Sequence, residues 1–360
     1  MLGLDLRTAR IVWTTAVIVL FFSLIYIARS TVLVVIFAIL FSYFIYPLIG
    51  ALERLMPRRV PRSVAISIGF ALAIAVIAVV VSMIGPRIVD EATKLGQKIP
   101  ELVKDPEAAK HFPLPHLLEP LRARIISFAQ DQVQDGTGKA LPLAKTIGTT
   151  VLHAASNLIY LVLIPVLSFL LIKEGPGIRA SALAHMDIRH RALWAAITDD
   201  LSFSLLRYVR ALLLLSLSTL VAYGTAFTVM GVPFALLLAA LAAILEFIPF
   251  VGPLAALAIT VLIAGFTGFD NLLLLFGLIV LYRAFQDYVL SPYLMSEGVE
   301  VSPLLVIVGL LVGDQIGGVA GIFLSVPVMA ALKIIIVRAS AARRERNMIV
   351  NKATVEIVSK

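Results

Sequence analysis

Glu246 and Asp314 are carboxylates set inside long apolar runs, residues 232–264 and 303–332. A charge at the centre of a membrane helix costs about 2.5–3.5 kcal/mol on insertion scales, so such acids tend to pair, to face a wet cavity or to serve function. Each could bind a proton or a cation and release it again. The structural alternative is a carboxylate that caps the amides of a chain break or pairs with a nearby arginine. Arg283, Gln286 and Asp287 follow at spacings of three and four and share one helical face. They read either as an Arg283–Asp287 ion pair that anchors a helix end or as a polar cluster turned toward a ligand. Glu246, Asp287 and Asp314 are the candidate ion-coupling residues; Arg283, Gln286 and Gln315 are candidates for a polar pathway.

Other chemistries find less support. The chain has no cysteine, which removes disulfides, thiolate metal sites and a cysteine nucleophile. His111, His116, His153, His185 and His190 show no metal-ligand spacing, so neither a metal nor a cofactor is expected. The turn Asp135–Lys139 lacks the leading glycine and the Ser or Thr of a phosphate-binding loop. Val312-Gly313-Asp314 resembles part of the Gly-x-Gly-Asp motif of intramembrane proteases. Leu311 replaces its first glycine, and a second carboxylate sharing the proton is required. An enzyme is therefore not expected.

The elements that carry these residues follow from composition. Of 360 residues, 60% are hydrophobic and 14% charged, with a mean hydropathy of +1.01. That is too apolar for an ordinary soluble domain. Uninterrupted stretches run Ile11 to Ala28, Ser30 to Leu52, Ser63 to Pro86, Thr146 to Ile172, Ala211 to Leu245 and Phe247 to Phe269. Each approaches or exceeds the roughly 20 helical residues that cross a bilayer core. They lack the alternation of a membrane β-barrel. The expected fold is all-α: a polytopic integral membrane protein with about 8 membrane segments, its partner the lipid bilayer. The net charge of +8 lies in loops that flank spans, which speaks against nucleic acid.

Loop charge predicts orientation. Arg7 and Arg10 precede the first span, and Arg54, Arg58, Arg59 and Arg62 follow the second. Both groups belong on the cytoplasmic side, and so does the tail with Arg338, Arg343, Arg344 and Arg346. The first span reads as a retained signal anchor, since no small-x-small cleavage site follows it. The organisation expected is a three-span scaffold (1–85), an extracytoplasmic helical segment (86–145), a fourth span (146–175) and a cytoplasmic amphipathic helix (176–206) with Trp194 and Tyr208 at headgroup depth. A C-terminal region (207–338) and a cytoplasmic tail (339–360) complete it.

The C-terminal region is built differently. Pro249, Gly252 and Pro253 interrupt the first apolar run directly after Glu246, so no continuous helix passes. Gly313 to Gly318, including Gly317, interrupts the second around Asp314. Shifting the chain by about seventy residues superposes the two patterns: proline start, apolar arm, acid, break and second arm. Breaks at membrane depth persist only when buried in protein or lining a cavity, and paired broken segments mark the binding region in transporters. The fold therefore includes two interrupted or re-entrant segments. Gly309, Gly313, Gly317 and Gly321 recur every fourth residue, a small-residue stripe suited to helix packing.

Pro165 to Gly175 (PVLSFLLIKEG), Glu246 to Pro253 (EFIPFVGP), Gln286 to Met295 (QDYVLSPYLM), Val301 to Pro303 and Gly317 to Pro327 (GGVAGIFLSVP) resemble the motifs of the autoinducer-2 exporter family, also called the PurR-regulated permease family. The resemblance implies a multi-pass protein of the bacterial inner membrane, homo-oligomeric, with a small molecule or ion as substrate. Known members are implicated in export of a furanosyl borate signal or in sodium/proton antiport. Asp287 stands where members often carry Glu after the Gln, which leaves shared ion coupling open. The expectation is a secondary transporter exporting a small molecule such as an autoinducer-2-like signal. The alternatives are a sodium/proton antiporter or channel, and a membrane scaffold that moves no solute.

Overall fold

A computed structural model describes residues 6–57, 59–104, 158–295 and 302–358, and all its regular elements are helical. α1 (Leu6–Ile27) and α2 (Arg29–Leu55) are separated by Ala28 alone. α3 (Arg62–Lys104) continues as helix beyond residue 85. The Asp135–Lys139 turn, the start of the fourth span at Thr146, and Val301 lie outside the described residues.

α4 (Leu158–Ala184) and α5 (Ile188–Met230) meet at a short turn, 185–187. The single amphipathic helix expected over 176–206 is thus divided: its first half extends α4 through Pro176, and its second half begins the 43-residue α5. Asp187 stands at the boundary, a residue type that favours the start of a helix, and its carbonyl accepts from the amides of His190 and Arg191. Tyr208 on α5 turns its side chain into the protein. Its hydroxyl is buried and has no hydrogen-bond partner among the described residues.

α6 (Ala235–Leu245) and α7 (Val251–Phe266) are about 16 and 24 Å long at 1.5 Å per residue, each shorter than a bilayer core of about 30 Å. They pack on one another, so the segment is a helical hairpin with its tip at 246–250. Pro249 supplies no amide to continue α6, whereas Pro253 fits the first turn of α7, where amides lack intrahelical acceptors. A Cβ on Gly252 would collide with the carbonyl of Leu245, so only glycine lets the arms close.

α8 (Leu272–Phe285) runs into a π-helical turn (Gln286–Leu290) and then α9 (Ser291–Met295). α10 (Pro303–Val358) is helical throughout except at Gly318, where φ 56 and ψ −137 reverse the chain. No helix begins near Ile316 for Asp314 to cap, because the first arm is unbroken to Gly317. The four-residue glycine stripe is not one helix face either. Gly313 and Gly321 lie on opposite arms with their backbones in contact, and Gly309 meets the Met329 side chain. The glycines thus pack one arm of α10 against the other.

Among the described residues five stretches are long and apolar enough to cross a membrane: Arg29–Leu55, Arg62–Lys98, His190–Met230, Leu272–Leu294 and Leu304–Arg344. The last passes by length and composition, yet it contains the reversal at Gly318. Its first arm, about 22 Å long, is too short to cross alone. The chain is a polytopic membrane protein.

It forms two compact units. The first comprises Met1–Ser42, Leu163–Thr198 and Glu300–Lys360. In it Ser168, fully buried on α4, donates to the carbonyls of Ala38 and Ile164 at 2.7 Å. Phe37 stacks on Phe323 at 5.4 Å, and Gly317 abuts Leu33. The second comprises Tyr43–Val162 and Asp199–Val299. Its core joins Tyr223 and Phe227 of α5, Leu238, Ala239 and Ala242 of α6, Ala256 and Ala264 of α7, and Leu275 and Ile279 of α8.

Candidate ion site

The second unit concentrates its polar chemistry at the hairpin tip. Glu246 is the first residue past α6, and the break after it turns its carboxylate toward α8. Ile279, Arg283 and Gln286 lie one helical turn apart on α8 and its continuation, so one face runs from apolar to charged. Gln286 opens the π-helical turn, a local widening that recurs at functional sites.

Glu246 Oε1 accepts two hydrogen bonds, from Arg283 Nη1 at 3.1 Å and from Gln286 Nε2 at 2.8 Å. Among the described residues no hydrogen bond reaches Oε2. Arg283 turns its remaining edge to Asp287, with Nε to Oδ2 at 2.9 Å and Nη2 to Oδ1 at 2.7 Å, a bidentate pair. Arg283 therefore bridges two carboxylates, and the cluster keeps a net single negative charge. Exposure is graded across it: the side chains of Glu246, Arg283 and Asp287 are 9%, 34% and 45% exposed. The bridge thus links the tip to the outer edge of the unit.

These groups line a cavity of about 480 Å³ with Thr219 and Tyr223 of α5, and with Phe250, Pro253 and Leu254 of the hairpin. Tyr282 donates to Ser218 at 3.0 Å and lies 3.4 Å from the Thr219 hydroxyl. Its ring meets Tyr223 edge-on at 4.9 Å. Sequence reasoning passed over Ser218, Thr219, Tyr223 and Tyr282. The available signal was the i, i+4 pair Thr219 and Tyr223 inside an apolar helix, with Tyr282 directly before Arg283.

The structure thus brings Glu246, Arg283, Gln286, Asp287 and Pro253 to one cavity, with Pro249 and Gly252 shaping the tip. Asp314, Gln315, Gly317 and Gly318 belong to the first unit, where Asp314 and Gln315 are exposed on α10 beside the reversal. The first unit has a larger cavity, about 960 Å³, between α1, α2 and the two arms of α10. Its walls are Val, Ile, Leu, Gly and Met, with Ser23, Ser325 and Arg29 as the polar points, and among the described residues that line it there is no carboxylate.

A family model described as AI-2E family transporter matches residues 15–340, which include the cluster, its hairpin and the reversal in α10. The chain belongs to this family. Three similar proteins are each named "putative transport protein". YrrI of Bacillus subtilis (strain 168) is 26% identical over 182 residues, 51% of this chain and 52% of YrrI. YueF of the same organism is 25% identical over 264 residues, 69% of each chain. MT0215 of Mycobacterium tuberculosis (strain CDC 1551 / Oshkosh) is 34% identical over 128 residues, 35% of each. The matches thus span about half of YrrI and about a third of MT0215. Membership in the AI-2E family supports a transport role.

Proposed function

We propose that the chain is a secondary transporter that couples export of a small molecule, an autoinducer-2-like signal or a solute of similar size, to a proton or sodium gradient. The observation that carries this reading is the cluster itself: two carboxylates share one guanidinium at the tip of a broken membrane segment. A proton or monovalent cation binding there neutralises the residual charge. Neutralisation removes much of the cost of moving the tip through an apolar environment, which is how binding at Glu246 would favour a second arrangement of the hairpin. Arg283 offers a competing internal cation, so ligand binding and the Arg283–Glu246 bond exclude one another in part. Asp314 is the candidate for a second acid in the cycle. Both termini face the cytoplasm of a bacterial inner membrane, the protein works as a homo-oligomer, and its partners are the bilayer and its solute.

Sodium/proton antiport uses the same cluster and needs no organic substrate. The modest cavity and its single net charge favour it as a second reading. Flux in proteoliposomes, with proton and sodium gradients imposed separately, tests both. Uphill movement of a solute under one gradient supports coupled export, and cation exchange alone supports antiport. Passive equilibration under every gradient makes the protein a channel, and no flux of any solute or ion leaves a scaffold.

A further inference from the structure

α6 begins without a cap of its own. Phe234, at its N-terminal boundary, has no side-chain acceptor and is held at φ 59, a left-handed conformation that is unfavourable for a bulky residue. The first turn carries no acid, so its amides have neither intrahelical acceptors nor a local carboxylate. The acceptor comes from another helix: Glu91 of α3 places Oε2 2.8 Å from the amide nitrogen of Leu237, the third residue of α6. Glu91 lies about 43 Å along α3 from Arg62 at 1.5 Å per residue, beyond the roughly 30 Å of a hydrocarbon core. A carboxylate is inexpensive at that depth, whereas a bare helix start next to the membrane is not. The negative charge also faces the positive end of the α6 dipole.

We propose that Glu91 is a positioning residue: it ties the entry of the hairpin to α3 and thereby fixes where the tip holds Glu246 against Arg283. α6 is a single rigid rod of eleven residues between Glu91 and Glu246, so freeing its start lets its end shift. The functional part of this inference rests on the transport reading above; the placement part does not.

The chain has no cysteine, so a single introduced thiol reports on one place. Leu254→Cys suits this, since Leu254 is exposed and lines the Glu246 cavity. Its reaction rate with a small cationic methanethiosulfonate is measured in proteoliposomes, alone and with Glu91→Ala or Glu91→Gln. The glutamine keeps a carbonyl acceptor, and the alanine removes it. A lost helix cap corresponds to about fivefold in an opening equilibrium, so E91A should change the labelling rate by about fivefold or more. E91Q should restore it to within about twofold of the background protein. If E91A gives no folded protein, E91D, which withdraws the acceptor by one methylene, replaces it and should shift the rate in the same direction. Labelling unchanged by E91A, or by E91D in its place, overturns the proposal, as does E91Q behaving like E91A. Flux measured on the same vesicles separates the two readings. No flux in the unsubstituted protein removes the transport reading and leaves the labelling result intact, whereas unchanged labelling with normal flux removes only the role of Glu91.

Discussion

The Glu246–Arg283–Asp287 bridge makes its arginine more consequential than either acid. Removing Arg283 leaves a nearly buried carboxylate without its cation, and breaking such a pair costs about 3–5 kcal/mol when fully buried and less here, since Arg283 is about one-third exposed. Arg283→Ala should therefore lower the thermal unfolding midpoint in detergent, and adding Glu246→Gln should recover most of that loss. A double-mutant cycle measures the difference, and additive losses would mean that the two side chains do not act on each other. Sequence alone marked Glu246 and the 283–287 cluster separately, because charges inside apolar runs are conspicuous. Nothing in the spacing said that they meet. Their contact spans 37 positions in the chain and depends on how the hairpin packs on α8. Tyr223 and Tyr282 were missed for a related reason, since aromatic residues in an apolar helix look like ordinary core until a neighbouring hydroxyl is seen beside them.

The hairpins are closed by backbone contact, and glycine is what permits it. A methyl group on Gly252 would strike the Leu245 carbonyl, and one on Gly313 would strike the Gly321 carbonyl. Gly252→Ala and Gly313→Ala should each destabilise by about 1–3 kcal/mol, the usual range for overpacking, read as a lowered unfolding midpoint. Gly277→Ala on α8, where a Cβ meets nothing within 4 Å, is the control and should change the midpoint little. The breaks themselves were legible, since prolines and glycines after an acid cannot continue a helix. The reversal at Gly318 was harder to place, because any of the residues from Gly313 to Gly318 could have turned the chain. The regular glycine spacing suggested one helix face, whereas the reversal puts Gly321 on the opposite arm. The α4–α5 turn was hidden by charge: a polar, amphipathic stretch reads as one surface helix until its three-residue interruption is seen.

Across the chain, the described residues combine helices long enough to span a membrane with broken segments whose arms are too short to do so, and membership in the AI-2E family supports a transport role. Composition made the membrane class plain, because 60% apolar residues leave no soluble alternative. Composition says nothing of a coupling ion, which depends on a few charged side chains among 360 residues. The proposed transport cycle requires that the carboxylate of Glu246 exchange a cation. It is tested most directly by comparing gradient-driven flux in proteoliposomes for the native chain and Glu246→Gln, with equal amounts of folded protein inserted. The native chain should move solute or cation uphill under a proton or sodium gradient, and E246Q should lower the driven component by about tenfold or more, the equivalent of roughly 1.4 kcal/mol. Driven flux undiminished in E246Q would contradict that requirement.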